Sequence, residues 1–206
     1  MLDHDRTTER IVPATDHNVA TAAWNGSAAL ITLLDTSPSM DSVETQAAVK
    51  EVHARTARHY FDRCRRLELH TIAYGGAVRT IEGEVFPPRC GLSSSPASAA
   101  IRLAAETIAE ERFTERGMKI FLLHISDGEN SLDDDRACLD ILWRGIMPVC
   151  AGFDYIEIRR ELPPAFRRTT SYLWGMYAQL ASDYNDKVRL FDGDVVPMKN
   201  ELYASY

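Results

Sequence analysis

The sequence predicts an α/β fold: a doubly wound, mostly parallel central sheet of about six strands, with one antiparallel edge strand and helices on both faces. Three observations carry this. Short apolar runs alternate along the chain with longer segments of helical period. Most of the runs are continuously apolar, as strands buried on both faces are. One run, residues 77–85, instead alternates polar and apolar residues directly after a Gly-Gly pair, as an edge hairpin strand does.

The elements follow in order. Residues 1 to about 27 are polar and aperiodic and read as an arm or extended segment; residues 28–206 read as one domain. Residues 28–34 form the first buried strand. Residues 42–64 carry Val43, Ala47, Val49, Val52, Ala57, Tyr60 and Phe61 at mostly helical spacings. Residues 67–74 are a strand ending at Gly75-Gly76, followed by the edge strand 77–85 and a loop over 87–95. Pro96 suits the first position of a helix running to about Arg112. Residues 119–125 are the most apolar strand of all. Asp133, Asp134 and Asp135 open a helix that ends near Gly145, their charges favoured by its dipole. Residues 146–151 read as a strand, 166–184 as largely helical, 188–191 as a last strand and 196–203 as a closing helix.

Composition excludes several function classes. The chain has 206 residues, 45% hydrophobic and 26% charged, with a formal net charge of −7. Nucleic acid and anionic membrane both need a basic footprint, so neither is expected as the main partner. Arg63, Arg65 and Arg66 read as a solvated helix end. The cysteines, Cys64, Cys90, Cys138 and Cys150, form no C-x-x-C pair and suit neither a zinc site nor a disulfide framework. No apolar stretch approaches the ~18 residues of a membrane span, and the N-terminus lacks the apolar core of a signal peptide. A cytoplasmic protein with reduced thiols is the expectation.

The chemistry-bearing residues sit where strands end. After residues 28–34 the chain reads D-T-S-P-S, placing Asp35, Ser37 and Ser39 on one tight loop stiffened by Pro38. After residues 119–125 it reads S-D-G-E-N, placing Asp127 on a second loop. In doubly wound folds, sites form beyond the carboxyl ends of the strands. Two carboxylates with hydroxyls form a ligand set for a hard divalent cation such as Mg²⁺. Hydroxyls are neutral, so the ion keeps most of its charge and seeks an acidic ligand from outside, typically the Asp or Glu side chain of a partner protein. Each residue also has a plainer reading: Asp35 as a helix cap, Asp127 as part of an Asp-Gly turn. Asp41 and Glu129 beside the loops read as solvated charges. His124 reads as a hydrogen-bonded core histidine, and Trp143, Trp174 and Tyr177 as packing residues.

D-x-S-x-S followed by a strand ending in S-D-G resembles the von Willebrand factor type A domain with its metal-ion-dependent adhesion site. The family's third element is a threonine before a helix, often within G-G-T-P. Here S-S-S-P stands in that place, so the resemblance makes Ser95 the matching ligand; Ser95 equally suits a cap ahead of Pro96. The resemblance thus implies a Rossmann-like sheet and a metal set of Asp35, Ser37, Ser39, Ser95 and Asp127. Mg²⁺ suits such a set, with Mn²⁺ or Ca²⁺ as alternatives.

The stretch S-D-G-E-N-S-L-D-D-D-R-A-C-L-D-I-L, with M-P-V and D-Y-I-E-I-R-R after it, is similar to the bacterial YeaH/YhbH family. That family has a C-terminal type A domain and a long N-terminal region that this chain lacks, as a short relative or a fragment would. Its members are commonly encoded beside a PrkA-type serine kinase, which implies a kinase-linked stress-signalling setting. The expectation is a non-enzymatic, cation-dependent protein-binding module. Its alternatives are a structural scaffold with a degenerate metal site, kept open by S-S-S, and an aspartic-type hydrolase, suggested by D-T-S.

Overall fold

The computed structural model of the chain describes residues 26–82, 96–159 and 170–194. In chain order the elements are β1 (Ser27–Asp35), α1 (Val43–Phe61), β2 (Arg66–Tyr74), β3 (Arg79–Ile81), α2 (Ala97–Glu110), β4 (Lys119–Ser126), α3 (Leu132–Ile141), β5 (Cys150–Arg159), α4 (Tyr172–Asp183) and β6 (Val188–Asp194). They form one six-stranded sheet in the order β3-β2-β1-β4-β5-β6. All pairings are parallel except β2 with β3 at the edge. The expected α/β class and its single antiparallel edge strand are both present, in a Rossmann-like arrangement.

Burial explains the layering. Every residue of β1 from Ala28 onward is buried. On one face Ala29, Ile31 and Leu33 join Ile101 of α2, Leu139 of α3 and Tyr177 of α4. On the other, Leu30 and Leu34 join Val49, Val52 and Tyr60 of α1. The period-two alternation of a strand feeds both layers, which is why its sequence reads as a continuous apolar run. Among the described residues, no helix is long and apolar enough to cross a membrane.

Several boundaries differ from expectation for physical reasons. Of residues 146–151, only Cys150 and Ala151 belong to the fifth strand. The chain makes a wide helical turn over Leu142–Ile146, Ile146 and Met147 are buried, and pairing begins only at Cys150. The strand then runs through Phe153-Asp154-Tyr155-Ile156-Glu157-Ile158, whose two acids look like strand breakers. Both acids are buried and partnered. Asp154 is gripped at both oxygens by its register partner Arg189, at 2.7 Å from Nε and 2.8 Å from Nη2, and accepts a hydrogen bond from the Tyr60 hydroxyl at 3.3 Å. Glu157 accepts from the Tyr155 hydroxyl at 3.0 Å and from Ser171.

Smaller differences concern helix ends. Pro96 caps α2 rather than occupying its first turn, and the Ser98 N–H behind it donates to Asp134 Oδ2 at 3.0 Å. One acid of the Asp133–Asp135 run thus caps a neighbouring helix as well as opening its own. Helix α4 begins at Tyr172, after the Ser171 cap; residues 166–169 of the expected helical stretch lie outside the described ones. Val43 and Phe61, placed on the apolar face of α1 by spacing, are exposed; Thr45, His53 and Thr56 are buried instead. The arm, the 87–95 loop, the 196–203 helix and Cys90 lie outside the described residues.

Two measurements test this core. Truncating Arg189 to Met leaves Asp154 buried and stripped of its bidentate partner, so unfolding free energy should fall by about 3 kcal/mol, read by urea titration. His124 is fully buried, and burial holds its pKa down at about 3. The native state therefore refuses a proton that the unfolded chain accepts from its ordinary value of 6.5 downward. Its contribution to stability is present above that value and lost as pH falls toward the folded one. The stability gap between wild type and His124→Gln should accordingly narrow from pH 7 to pH 4.

Candidate functional site

β1 and β4 are neighbours in register, with Leu34 opposite Ile125. The residues that follow, Asp35 and Ser126, therefore meet at the sheet's carboxyl edge. Here the strand order also reverses: β1 leads outward to β2, while β4 leads the other way to β5. Such a switch point opens a crevice because the loops on its two sides turn to opposite faces.

Asp35 is buried at 2% exposure. Its Oδ1 accepts the Ser37 N–H at 2.8 Å, an aspartate turn that folds the loop back on itself. Its Oδ2 accepts the Ser126 hydroxyl at 2.8 Å. Ser37 and Ser39 present their hydroxyls 2.7 Å apart across a tight turn closed by the Met40 N–H on the Ser37 carbonyl at 2.8 Å. The D-x-S-x-S spacing thus puts its alternate side chains together, as expected. Asp127, half-buried on the second loop, is close enough for its charge to act on Asp35. Burial, and after it the Asp127 charge, push the Asp35 carboxyl up to about 6; the Ser37 amide and hydroxyl and the Ser126 hydroxyl only partly offset them. Four of the five expected ligand residues therefore converge; Ser95 lies outside the described residues.

Two glycines let the loops close. Thr36 donates to the Tyr74 carbonyl from its N–H at 2.7 Å and its hydroxyl at 2.8 Å, which seats the first loop on the end of β2. A Cβ on Gly75 would stand 2.6 Å from the Ser37 nitrogen. Gly128 has φ +88° and donates to the Ser126 hydroxyl at 3.1 Å; a Cβ there would stand 2.7 Å from Glu157 Oε2. Its carbonyl accepts the Leu173 N–H at 3.3 Å, tying the second loop to α4.

Spacing alone did not assign Ser126, Tyr74, Glu157 or Ser171 to this edge. The first is visible as the serine of S-D-G at a strand end; Tyr74 and Glu157 are brought in by sheet register, and Ser171 by its place as the cap of α4. Outside the loops, Asp41 accepts from Gln46 Nε2 at 3.1 Å, and Glu129 is exposed. Trp143 and Trp174 pack partly buried on the core, as expected.

Chemically the set is all oxygen. Among the described residues, no three His, Cys, Asp or Glu side chains cluster as a metal site; this one draws on two carboxylates plus hydroxyls. It fits a hard cation in one further respect: a buried carboxylate destabilised by a second is relieved by positive charge between them. The buried thiols are poor nucleophiles, since burial pushes Cys150 up to about 11 and Cys138 higher still.

Comparison with known proteins identifies the lineage. The chain is 28% identical over 142 residues to a UPF0229 protein of Pseudomonas savastanoi pv. phaseolicola, covering 67% of this chain and 32% of that protein. It is 27% identical over 194 residues to a UPF0229 protein of Legionella pneumophila strain Corby, covering 91% of this chain and 43% of that one. The chain therefore spans well under half the length of these relatives. Among solved structures it is similar to proximal thread matrix protein 1 of the mussel byssus, at TM-score 0.45 and 14% identity, over 65% of this chain and 38% of that one. A family described as "Protein of unknown function (DUF444)" matches residues 16–204. With nearly its whole length so matched, and with bacterial relatives in agreement, the chain belongs to the DUF444 family.

Proposed function

We propose that the crevice between β1 and β4 is a metal-ion-dependent adhesion site of the von Willebrand factor A kind. The domain is then a non-enzymatic module that captures an acidic side chain of a partner protein. One observation carries the reading: the D-x-S-x-S loop and Asp127 meet over adjacent central strands, with Asp35 buried and charge-stressed by Asp127. Asp35, Ser37, Ser39 and Asp127 would hold the ion, with Ser95 as the fifth residue. When bound, Mg²⁺ (or Mn²⁺ or Ca²⁺) supplies Lewis acidity toward a carboxylate from outside.

The all-oxygen, hydroxyl-rich donor set and the long α1 directly after the first loop favour this reading over an aspartic hydrolase. A cytoplasmic setting and a kinase-linked stress role belong to the same proposal, by the YeaH/YhbH resemblance. One observation favours a metal-free scaffold as second reading: the Ser37 amide and Ser126 hydroxyl already satisfy both Asp35 oxygens.

The two readings part in melting experiments. With its folded pKa raised to about 6 from 3.8, Asp35 retains a proton in the metal-free native state that the unfolded chain has released. That stabilising contribution is full below about pH 4 and is lost as pH rises through about 6. In EDTA at pH 7.5, Asp35→Asn should therefore be more stable than wild type by up to about 3 kcal/mol, and the gap should close toward pH 4. In MgCl₂ only wild type should shift upward, by about 2.7 kcal/mol at a hundred times Kd. A wild-type melt unmoved by Mg²⁺, Mn²⁺ and Ca²⁺ selects the scaffold. Partner capture should need the ion and fail for Asp35→Ala; capture that survives EDTA overturns the adhesion reading.

A further inference from the structure

Behind Asp35 stands a buried polar triplet. Tyr74, His124 and Tyr177 are all buried. Each tyrosine hydroxyl lies 2.6 Å from a different nitrogen of the His124 ring, Tyr74 at Nε2 and Tyr177 at Nδ1. Burial keeps this imidazole neutral, so it has one N–H and one lone pair. One tyrosine therefore donates to the ring, while the other accepts from it and keeps its own proton to donate onward.

Tyr74 is the one placed to donate onward. It is the register partner of Asp35 across β1 and β2, and its carbonyl holds Thr36 in the metal loop. After burial, which acts most strongly, the nearby Asp35 charge also holds the proton on its phenol. Toward a buried carboxylate, a phenol proton is favoured over a phenol lone pair. Tyr177, buried as well, faces Cys138 and then Asp135 and Asp134 on α3, but those acids are only half-buried and are better screened by water.

We propose that Tyr74, His124 and Tyr177 are the positioning residues of the cation site: Tyr177 donates to His124 Nδ1, His124 donates from Nε2 to Tyr74, and Tyr74 aims its proton at the Asp35–Ser126 pair. None is a ligand. The triplet links β2, β4 and α4 behind the loop, and a chain of hydrogen bonds polarised in one direction strengthens each of its members. This inference rests on the cation reading above, and the test separates the two.

Imidazole ¹⁵N NMR of the wild-type protein reads the tautomer with no variant and no metal. The expected result is protonation of His124 on Nε2; protonation on Nδ1 overturns the proposal. Tyr74→Phe removes the acceptor and should move the proton to Nδ1, whereas Tyr177→Phe should leave it on Nε2. Calorimetric titration with MgCl₂ should show Tyr74→Phe binding about tenfold more weakly at unchanged circular dichroism, and Tyr177→Phe within about threefold of wild type. If wild type binds Mg²⁺ and Tyr74→Phe binds it equally well, the positioning role falls and the cation reading stands. If wild type binds no Mg²⁺, both fall.

Discussion

In-register parallel pairing of β1 with β4 is the constraint on which the site depends. Their partners in sequence lie far apart, and only this pairing sets Asp35 beside Ser126. A slip of one residue would turn every side chain of the strand to the opposite face. It would expose Ile31 and Leu33 to the wrong layer and carry Asp35 away from the crevice. The same apolar alternation that fills the two cores thus also sets the position of the carboxylate. Site geometry and core packing are specified by one set of residues, so a strand that packs correctly delivers its loop correctly.

The sheet and most of its elements were legible in the sequence because a strand covered on both faces leaves an unmistakable continuous apolar run. Residues 28–34 and 119–125 are such runs, and the structure places both in the centre. The fifth strand was not legible, because its signal is masked by Asp154 and Glu157. A buried acid is indistinguishable from a solvated one until its partners are known, and these lie on other elements: Arg189 and Tyr60 for the first, Ser171 for the second. The site shows the same division. Asp35, Ser37 and Ser39 could be read from local spacing, since one turn brings them together. Ser126 was visible only as the serine of S-D-G, and Tyr74 and Glu157 not at all, because their roles come from register across the sheet. His124 read correctly as a core residue, yet nothing local told which groups would satisfy it.

The electrostatics of the crevice reflect a balance between desolvation and charge. Burying Asp35 beside Asp127 raises the free energy of the ionised form; donors on Ser37 and Ser126 recover part of that cost without supplying positive charge. A salt bridge in the same place, such as the one Arg189 gives Asp154, would neutralise the carboxylate permanently and close the site to other cations. The two buried aspartates therefore illustrate two different solutions within one sheet. Asp154 is matched by a fixed guanidinium and serves to join β5, β6 and α1. Among the described residues Asp35 is matched by neutral hydroxyl and amide donors, which hold its geometry without neutralising its charge. That difference in partners, more than the presence of an acid at a strand end, is what supports the proposal of a cation at the β1 edge and sets it apart from the β5–β6 pairing, where the same residue type serves architecture.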